Sequence, residues 1–140
     1  MTVELLPYLR DLYGSHVTGY YGRDNTFNRG SITDKVLEGH LEGRWRVGTY
    51  FDPGDGTVIL GVIDLDNKEN PDGEKPHAKR AAEALLGIGL SPEVFTSKGK
   101  GYHIPVFFME PVPAWAVRKV LAYAAVKAGR PGAEIFPKQD

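Results

Sequence analysis

A chain of 140 residues with a formal net charge of −1 holds one domain, with a core able to bury roughly two-thirds of the surface its unfolded form exposes. It has no cysteine, which excludes a disulfide framework, a thiolate metal site and a Cys-ligated deaminase centre; this fits a reducing compartment, and the cytoplasm is the expected location. No stretch approaches the ~20 apolar residues of a membrane span, Met1 to Arg10 lacks the apolar core of a signal peptide, and the near-neutral charge excludes a generic polyanion binder. The charge is nevertheless uneven. Residues 51–75 hold seven acidic against two basic groups and residues 95–140 hold seven basic against three acidic, so one half gathers cations and the other suits phosphates.

In chain order, Leu5, Leu6, Leu9 and Leu12 predict a short helix between Thr2 and Tyr13, ended by Gly14. From Ser15 to Gly30, Tyr20, Tyr21, Arg23, Phe27 and Arg29 mix with Gly and Asn without a period, which predicts loop or irregular strand. Such interleaving of aromatic and Arg side chains suits a single-stranded nucleic-acid surface or simply covers a core. Ser31 to His40 reads as a second helix, with Thr33 or Ser31 as N-cap and Gly39 or Gly43 near its end. Trp45 to Tyr50 alternates as a strand, and Asp52 to Gly56 is expected to turn it back onto the following strand as a hairpin.

That following strand carries the main signal. Thr57 to Ile63 is a β-branched run bounded by turn residues, which predicts a strand buried on both faces, and it ends in Asp64-Leu65-Asp66. Residues i and i+2 of a strand share a face, so the two carboxylates stand about 6–7 Å apart. At that separation they raise each other's pKa unless a cation lies between them. Hard oxygen ligands on one face suit Mg²⁺ or Mn²⁺, and two such ions are the usual device for in-line displacement at phosphorus. The plain alternative is that both Asp residues begin a solvated loop.

The polar turn Asn67 to Lys75 is expected to be mobile. Pro76 then opens a helix with Ala78, Ala81, Ala82, Leu85 and Leu86 on one stripe and Gly87 at the position past its end. Val94 to Thr96 and Tyr102 to Phe108 predict two strands joined by Ser97-Lys98-Gly99-Lys100-Gly101. Pro113 opens a last helix, whose Val117, Val120, Leu121, Ala124, Ala125 and Ala128 keep one stripe until Gly129, and Ala133 to Phe136 closes the chain as a short strand. From residue 57 the order is strand, helix, strand, strand, helix, strand, the split βαβ or ferredoxin-like arrangement of RNA-recognition domains and many polymerase palms. The expected class is α+β, a single domain over 1–140 with a palm core at 57–140 and an N-terminal α/β extension at 1–56.

The Ser97 to His103 stretch is a second constellation. Gly99 and Gly101 let backbone N–H groups approach an anion while Lys98 and Lys100 add charge, so the turn suits a triphosphate, although it matches no known phosphate-loop spacing. An imidazole at His103 either donates to a phosphate oxygen or is a core histidine bonded to a carbonyl.

Val62-Ile63-Asp64-Leu65-Asp66, Thr96 to Ile104 and Glu134 to Gln139, taken together, resemble the archaeo-eukaryotic primase superfamily, including the primase-polymerases of mobile elements and bacterial conflict systems. Ile32 to Tyr50 and Pro111 to Leu121 look like the same group. The resemblance implies that Asp64 and Asp66 hold two Mg²⁺ or Mn²⁺ ions with Glu134 as third carboxylate, for which Asp140 competes. It implies that Ser97 and His103 contact the phosphates of a nucleoside triphosphate, helped by Lys98 and Lys100, and that Arg118, Lys119 and Lys138 face a single-stranded DNA template. Gly101 departs from the pattern, since the position two before the histidine is often Ser in the family. Relatives continue past Phe-Pro-Lys-Gln into a further strand, so the chain is expected to be truncated at its C-terminus, with helicase or other replication domains as partners and no membrane.

The expected function is therefore a nucleotidyltransferase, a DNA primase or polymerase that adds NTPs or dNTPs on a single-stranded template. A non-catalytic nucleic-acid- or nucleotide-binding module on the same fold needs the basic half but not the carboxylates. A sugar-nucleotide transferase using Asp-x-Asp on Mn²⁺ gives Ser97 to His103 no role.

Overall fold

Leu6, Ile32 and Leu37 form the core of the first of two compact units, Met1–Asp55, in a computed structural model that describes residues 2–11, 19–22, 26–49 and 55–138. Helix α1 (Thr2–Leu9), strands β1 (Gly19–Tyr21) and β2 (Phe27–Arg29), helix α2 (Asp34–Leu41) and strand β3 (Gly48–Thr49) make up this unit. Thr33 caps α2 by accepting from the Val36 N–H, and Arg10 of the α1 end pairs with Asp34 at 2.7 Å. The aromatic stretch is more regular than its sequence suggests. β1 and β2 pair antiparallel, which sets Tyr21 and Phe27 side by side with ring centroids 5.3 Å apart, a cross-strand contact that compensates for the absent periodicity.

The strand expected over Trp45 to Tyr50 is shorter, because Trp45 is used elsewhere. Its indole N–H donates to the Val36 carbonyl at 2.9 Å and its ring lies against Gly39, where any Cβ would collide with it. Among the described residues of this stretch only Gly48 and Thr49 are strand, and they pair with β1 in a sheet of order β2-β1-β3. Among the described residues β3 pairs with β1 and not with β4, so the expected hairpin onto the Asp-Leu-Asp strand is not seen there; residues 50–54 of its turn lie outside the described residues.

The second unit, Gly56–Asp140, comprises β4 (Thr57–Asp66), a 3-10 helix (Pro71–Glu74), α3 (Lys75–Gly87), β5 (Phe95–Thr96), β6 (Gly101–Pro113), α4 (Ala114–Lys127) and β7 (Glu134–Phe136). Its antiparallel sheet has the order β5-β6-β4-β7, the ferredoxin-like α+β topology. β4 pairs with β6 along its length on one side and with β7 over Val62 to Asp64 on the other.

β4 is not buried on both faces. Ile63 and Leu65 are buried, whereas Val62 and Asp64 are half-buried and Asp66 is exposed, so the strand alternates. α4 packs on the Gly61 side, so closely that a Cβ at Gly61 would come within 2.5 Å of Val117 Cγ1. Ile63, Leu85, Ile104, Val117, Leu121, Ala124 and Ala125 fill the layer between sheet and helices. The stripe on α3 is narrower than expected, since Leu86 is exposed; Gly87 is its last helical residue, and the glycine past its end is Gly89 (φ +87), where the Leu90 and Gly89 N–H groups return to the Leu85 and Leu86 carbonyls.

The turn from Asn67 to Lys75, expected to be mobile, is tied down. Asn70 N–H donates to Asn67 Oδ1 at 3.0 Å, Gly73 N–H donates to Asn70 Oδ1 at 3.2 Å, and the buried Glu74 carboxylate takes a two-pronged bond from Arg130. Among the described residues no helix is long and apolar enough to cross a membrane.

Candidate active site

The two-residue period of β4 puts Asp64 and Asp66 on the face away from α4, and the strand register fixes what lies beside them. Asp64 is directly opposite His103 of β6 on one side and Glu134 of β7 on the other. His103 in turn faces Phe95 of β5, so Glu134, Asp64, His103 and Phe95 form one row across all four strands. Asp66 heads the next row on this face, opposite Gly101, whose carbonyl accepts the Ser97 N–H at 2.9 Å.

Ser97 to Lys100 is a tight turn. Lys98 and Gly99 both take positive φ (37° and 72°), and the Lys100 N–H donates to the Ser97 carbonyl at 2.6 Å, the geometry of a type I′ hairpin turn. Lys98 and Lys100 are exposed on it and Ser97 is half-buried. Gly101 is required by close approach, since a Cβ there would lie 1.8 Å from the Leu65 carbonyl oxygen. A serine at this position would meet the same carbonyl oxygen.

The electrostatics centre on Asp64. Its Oδ1 is buried without a hydrogen-bond partner; His103 Nε2 stands 3.3 Å away, near enough for charge attraction but not aligned as a hydrogen bond. Burial raises the Asp64 pKa above the ordinary carboxylate value. The His103 charge opposes this, and the neighbouring Asp66 and Glu134 carboxylates add to the rise. Glu134 forms an ion pair with Lys138, whose ammonium also lies over the Phe136 ring, and Arg118 donates to the Lys138 carbonyl at 2.9 Å. Lys119 does not join this group: it lies over the Trp115 ring on the exposed side of α4.

A hard divalent cation fits these donors in part. The orphaned Asp64 oxygen and the adjacent Asp66 carboxylate are acceptor-only groups whose mutual repulsion a cation would relieve. Among the described residues, however, no three His, Asp or Glu side chains already converge on one point, and Glu134 would have to exchange Lys138 for the metal. Asp140 lies outside the described residues.

Sequence reasoning missed Phe95, Asn67, Glu74 and Arg130. Arg130 Nε and Nη2 donate to Glu74 at 3.0 and 2.9 Å, and Asn67 Nδ2 donates to the same carboxylate at 3.5 Å. Asn67, the residue after Asp66, also donates its N–H to the Lys100 carbonyl at 2.6 Å, which joins the end of β4 to the turn. Glu74 and Arg130 are separated by 56 positions and no local spacing marks them; the visible hint was an acid directly before a helix rich in alanine.

No curated protein matches this sequence. The family model of the TOTE conflict system archaeo-eukaryotic primase domain matches residues 22–140, which contain the whole four-stranded sheet, the rows that hold Asp64 and Asp66, and the turn that joins β5 to β6. The chain belongs to that family of archaeo-eukaryotic primase domains.

Proposed function

We propose that this domain is a metal-dependent nucleotidyltransferase that adds nucleotides from NTPs or dNTPs to a chain on a single-stranded template. The observation that carries the reading is the buried, unpartnered Oδ1 of Asp64, held beside Asp66 and faced by His103. Asp64 and Asp66 would hold Mg²⁺ or Mn²⁺, with Glu134 released from Lys138 as a third ligand. Bound there, such ions supply Lewis-acid activation of a 3′-hydroxyl and neutralise charge on the phosphates.

The protein's own groups do the rest. His103 donates to a phosphate oxygen from one strand away, and the Ser97 side chain and the Lys98 and Lys100 ammonium groups receive the remainder of the triphosphate at the turn. Gly101, lacking a side chain, lets the Leu65 carbonyl approach and so brings the end of β4 up against the start of β6 beside the turn. Arg118 and Lys138 lie at the opposite, Glu134 end of the row and suit a template phosphate.

The test is extension of a primed DNA template with NTPs or dNTPs, with Mg²⁺ and with Mn²⁺, in the wild type and in Asp64→Asn. The reading requires metal-dependent extension that is lost in the variant. A second reading, a nucleotide-binding module without catalysis, draws on the Glu134–Lys138 pair, which among the described residues of the Asp64 and Asp66 rows leaves those two acids for a cation. Nucleotide binding that EDTA leaves unchanged, with no extension under either metal, would favour it.

A further inference from the structure

On the face of the sheet that holds Asp64, two exposed aromatic rings are left unused by the phosphate chemistry, Phe95 in the carboxylate row and Phe107 two rows away on β6. Phe95 ends the row Glu134, Asp64, His103, Phe95, directly opposite His103 on the edge strand β5, and it is 55% exposed. It is a large apolar ring set one strand beyond a candidate phosphate donor and two beyond the carboxylates, on the same face as both.

We infer that Phe95 is a stacking platform for the nucleobase of the nucleotide bound at this site. The direction follows from what surrounds the carboxylates. Toward β7 the row meets Glu134 and Lys138, a charged pair, and the nearby Phe136 ring is half-buried with the Lys138 ammonium 5.0 Å from its centre. Along β4 and β6 toward the turn the face offers Ser97, Lys98 and Lys100, which suit phosphates. Along the strands away from the turn come Val62 and Pro105, and the exposed Phe107 stands a further row off, about 13 Å along β6 from His103. Across β6 to β5 an exposed aromatic ring stands directly beside His103, and every base has a π-face to lay on it. The bound nucleotide is therefore bent at the metal side, with phosphates running to the turn and the base crossing His103 to Phe95. A lone ring makes no hydrogen bonds to the base edge, so the platform discriminates nucleotide from bare phosphate but accepts all four bases.

The inference rests on the nucleotide reading above, and two probes separate their failures. Calorimetry in Mn²⁺ measures ATP and inorganic tripolyphosphate on the wild type, Phe95→Ala and Phe95→Trp. Phe95→Ala is expected to weaken ATP roughly tenfold, the scale of one lost base stack, while tripolyphosphate affinity and thermal stability hold and Phe95→Trp retains ATP affinity. Equal loss for both probes, or no loss for either, overturns the platform and leaves the nucleotide site standing. A wild type that binds tripolyphosphate as tightly as ATP does the same, because the base then makes no contact. A wild type that binds neither overturns the nucleotide reading together with the platform.

Discussion

Asp64 and His103 face each other across β4 and β6, with the imidazole Nε2 3.3 Å from a carboxylate oxygen that has no hydrogen bond of its own. The two side chains differ in exposure, 16% for Asp64 against 45% for His103. The acid is therefore held in a fixed, poorly solvated position while the imidazole remains accessible to a ligand. Unpaired buried acceptors are rare in folded proteins because they forfeit hydration without a return bond. Under the proposed function, a bound divalent cation would supply that return.

The first prediction concerns pH. Burial raises the folded-state pKa of Asp64, so the protonated form fits the fold better, and the associated stability is present in acid and lost as pH rises through the raised value. Asp64→Asn mimics that protonated form. It should melt at a higher temperature than the wild type at neutral pH, with a gap that closes as the pH falls below the ordinary carboxylate range. A variant less stable at every pH would assign the carboxylate a structural role.

The second concerns metal. If Asp64 and Asp66 are ligands, Mn²⁺ at about 100 times its dissociation constant should add about 2.7 kcal/mol to unfolding stability, seen as a rise in Tm that EDTA reverses. Asp64→Asn and Asp66→Asn should each lose most of that rise. An equal rise in all three proteins would locate the ion elsewhere.

The palm topology was legible because each of its elements carries a local signal: the run ending in Asp64, the stripe from Val117 to Ala128, the Lys-Gly-Lys-Gly turn. The carboxylates and His103 could be assigned to strands, but their alignment in one row is a property of register between strands distant in sequence, which periodicity does not encode. The same limit hid the pairing of β3 with β1, because a two-residue strand has no pattern of its own. It also hid Phe95, whose meaning comes only from facing His103. β4 was misread as buried on both faces since Val62 is as apolar as Ile63, and only burial tells their faces apart.

Gly101 gives the third prediction. Its missing side chain lets the Leu65 carbonyl approach, and a Cβ would stand 1.8 Å from that oxygen. Gly101→Ala should therefore cost well over ~1 kcal/mol in urea denaturation and loosen β4 against β6 at the Asp66 end. Unchanged stability would mean that the two strands separate there at little cost.

The fourth concerns the buried pair behind the site. Arg130, first among its causes, holds the Glu74 carboxyl below its ordinary range, with Asn67 and His77 acting in the same direction against burial. The stability gained is present above the ordinary Glu value and lost as pH falls through the lowered one. Arg130→Ala leaves a buried charge, with 4% of the Glu74 side chain exposed, while the Arg130 end is 39% exposed. The expected outcome is a clear loss of stability, smaller than that of a fully enclosed pair because water screens the guanidinium. Measured at about pH 7 and about pH 3, the difference between wild type and variant should shrink in acid.

The last prediction separates a ligand-binding imidazole from a structural one. His103 is 45% exposed, opposite Asp64, and it begins no buried hydrogen-bond chain, so His103→Ala should leave thermal stability nearly unchanged. Its loss should appear in binding. A charge-assisted bond to a phosphate oxygen contributes ~1.5–3 kcal/mol, so tripolyphosphate and ATP should weaken together by that amount. This sets the variant apart from Phe95→Ala, which affects ATP alone. Manganese binding at Asp64 and Asp66 should hold, because the imidazole faces the carboxylate without being needed to carry the ion. A destabilised His103→Ala protein with normal affinity for both probes would return the residue to the core and remove the Ser97 to His103 turn from the site.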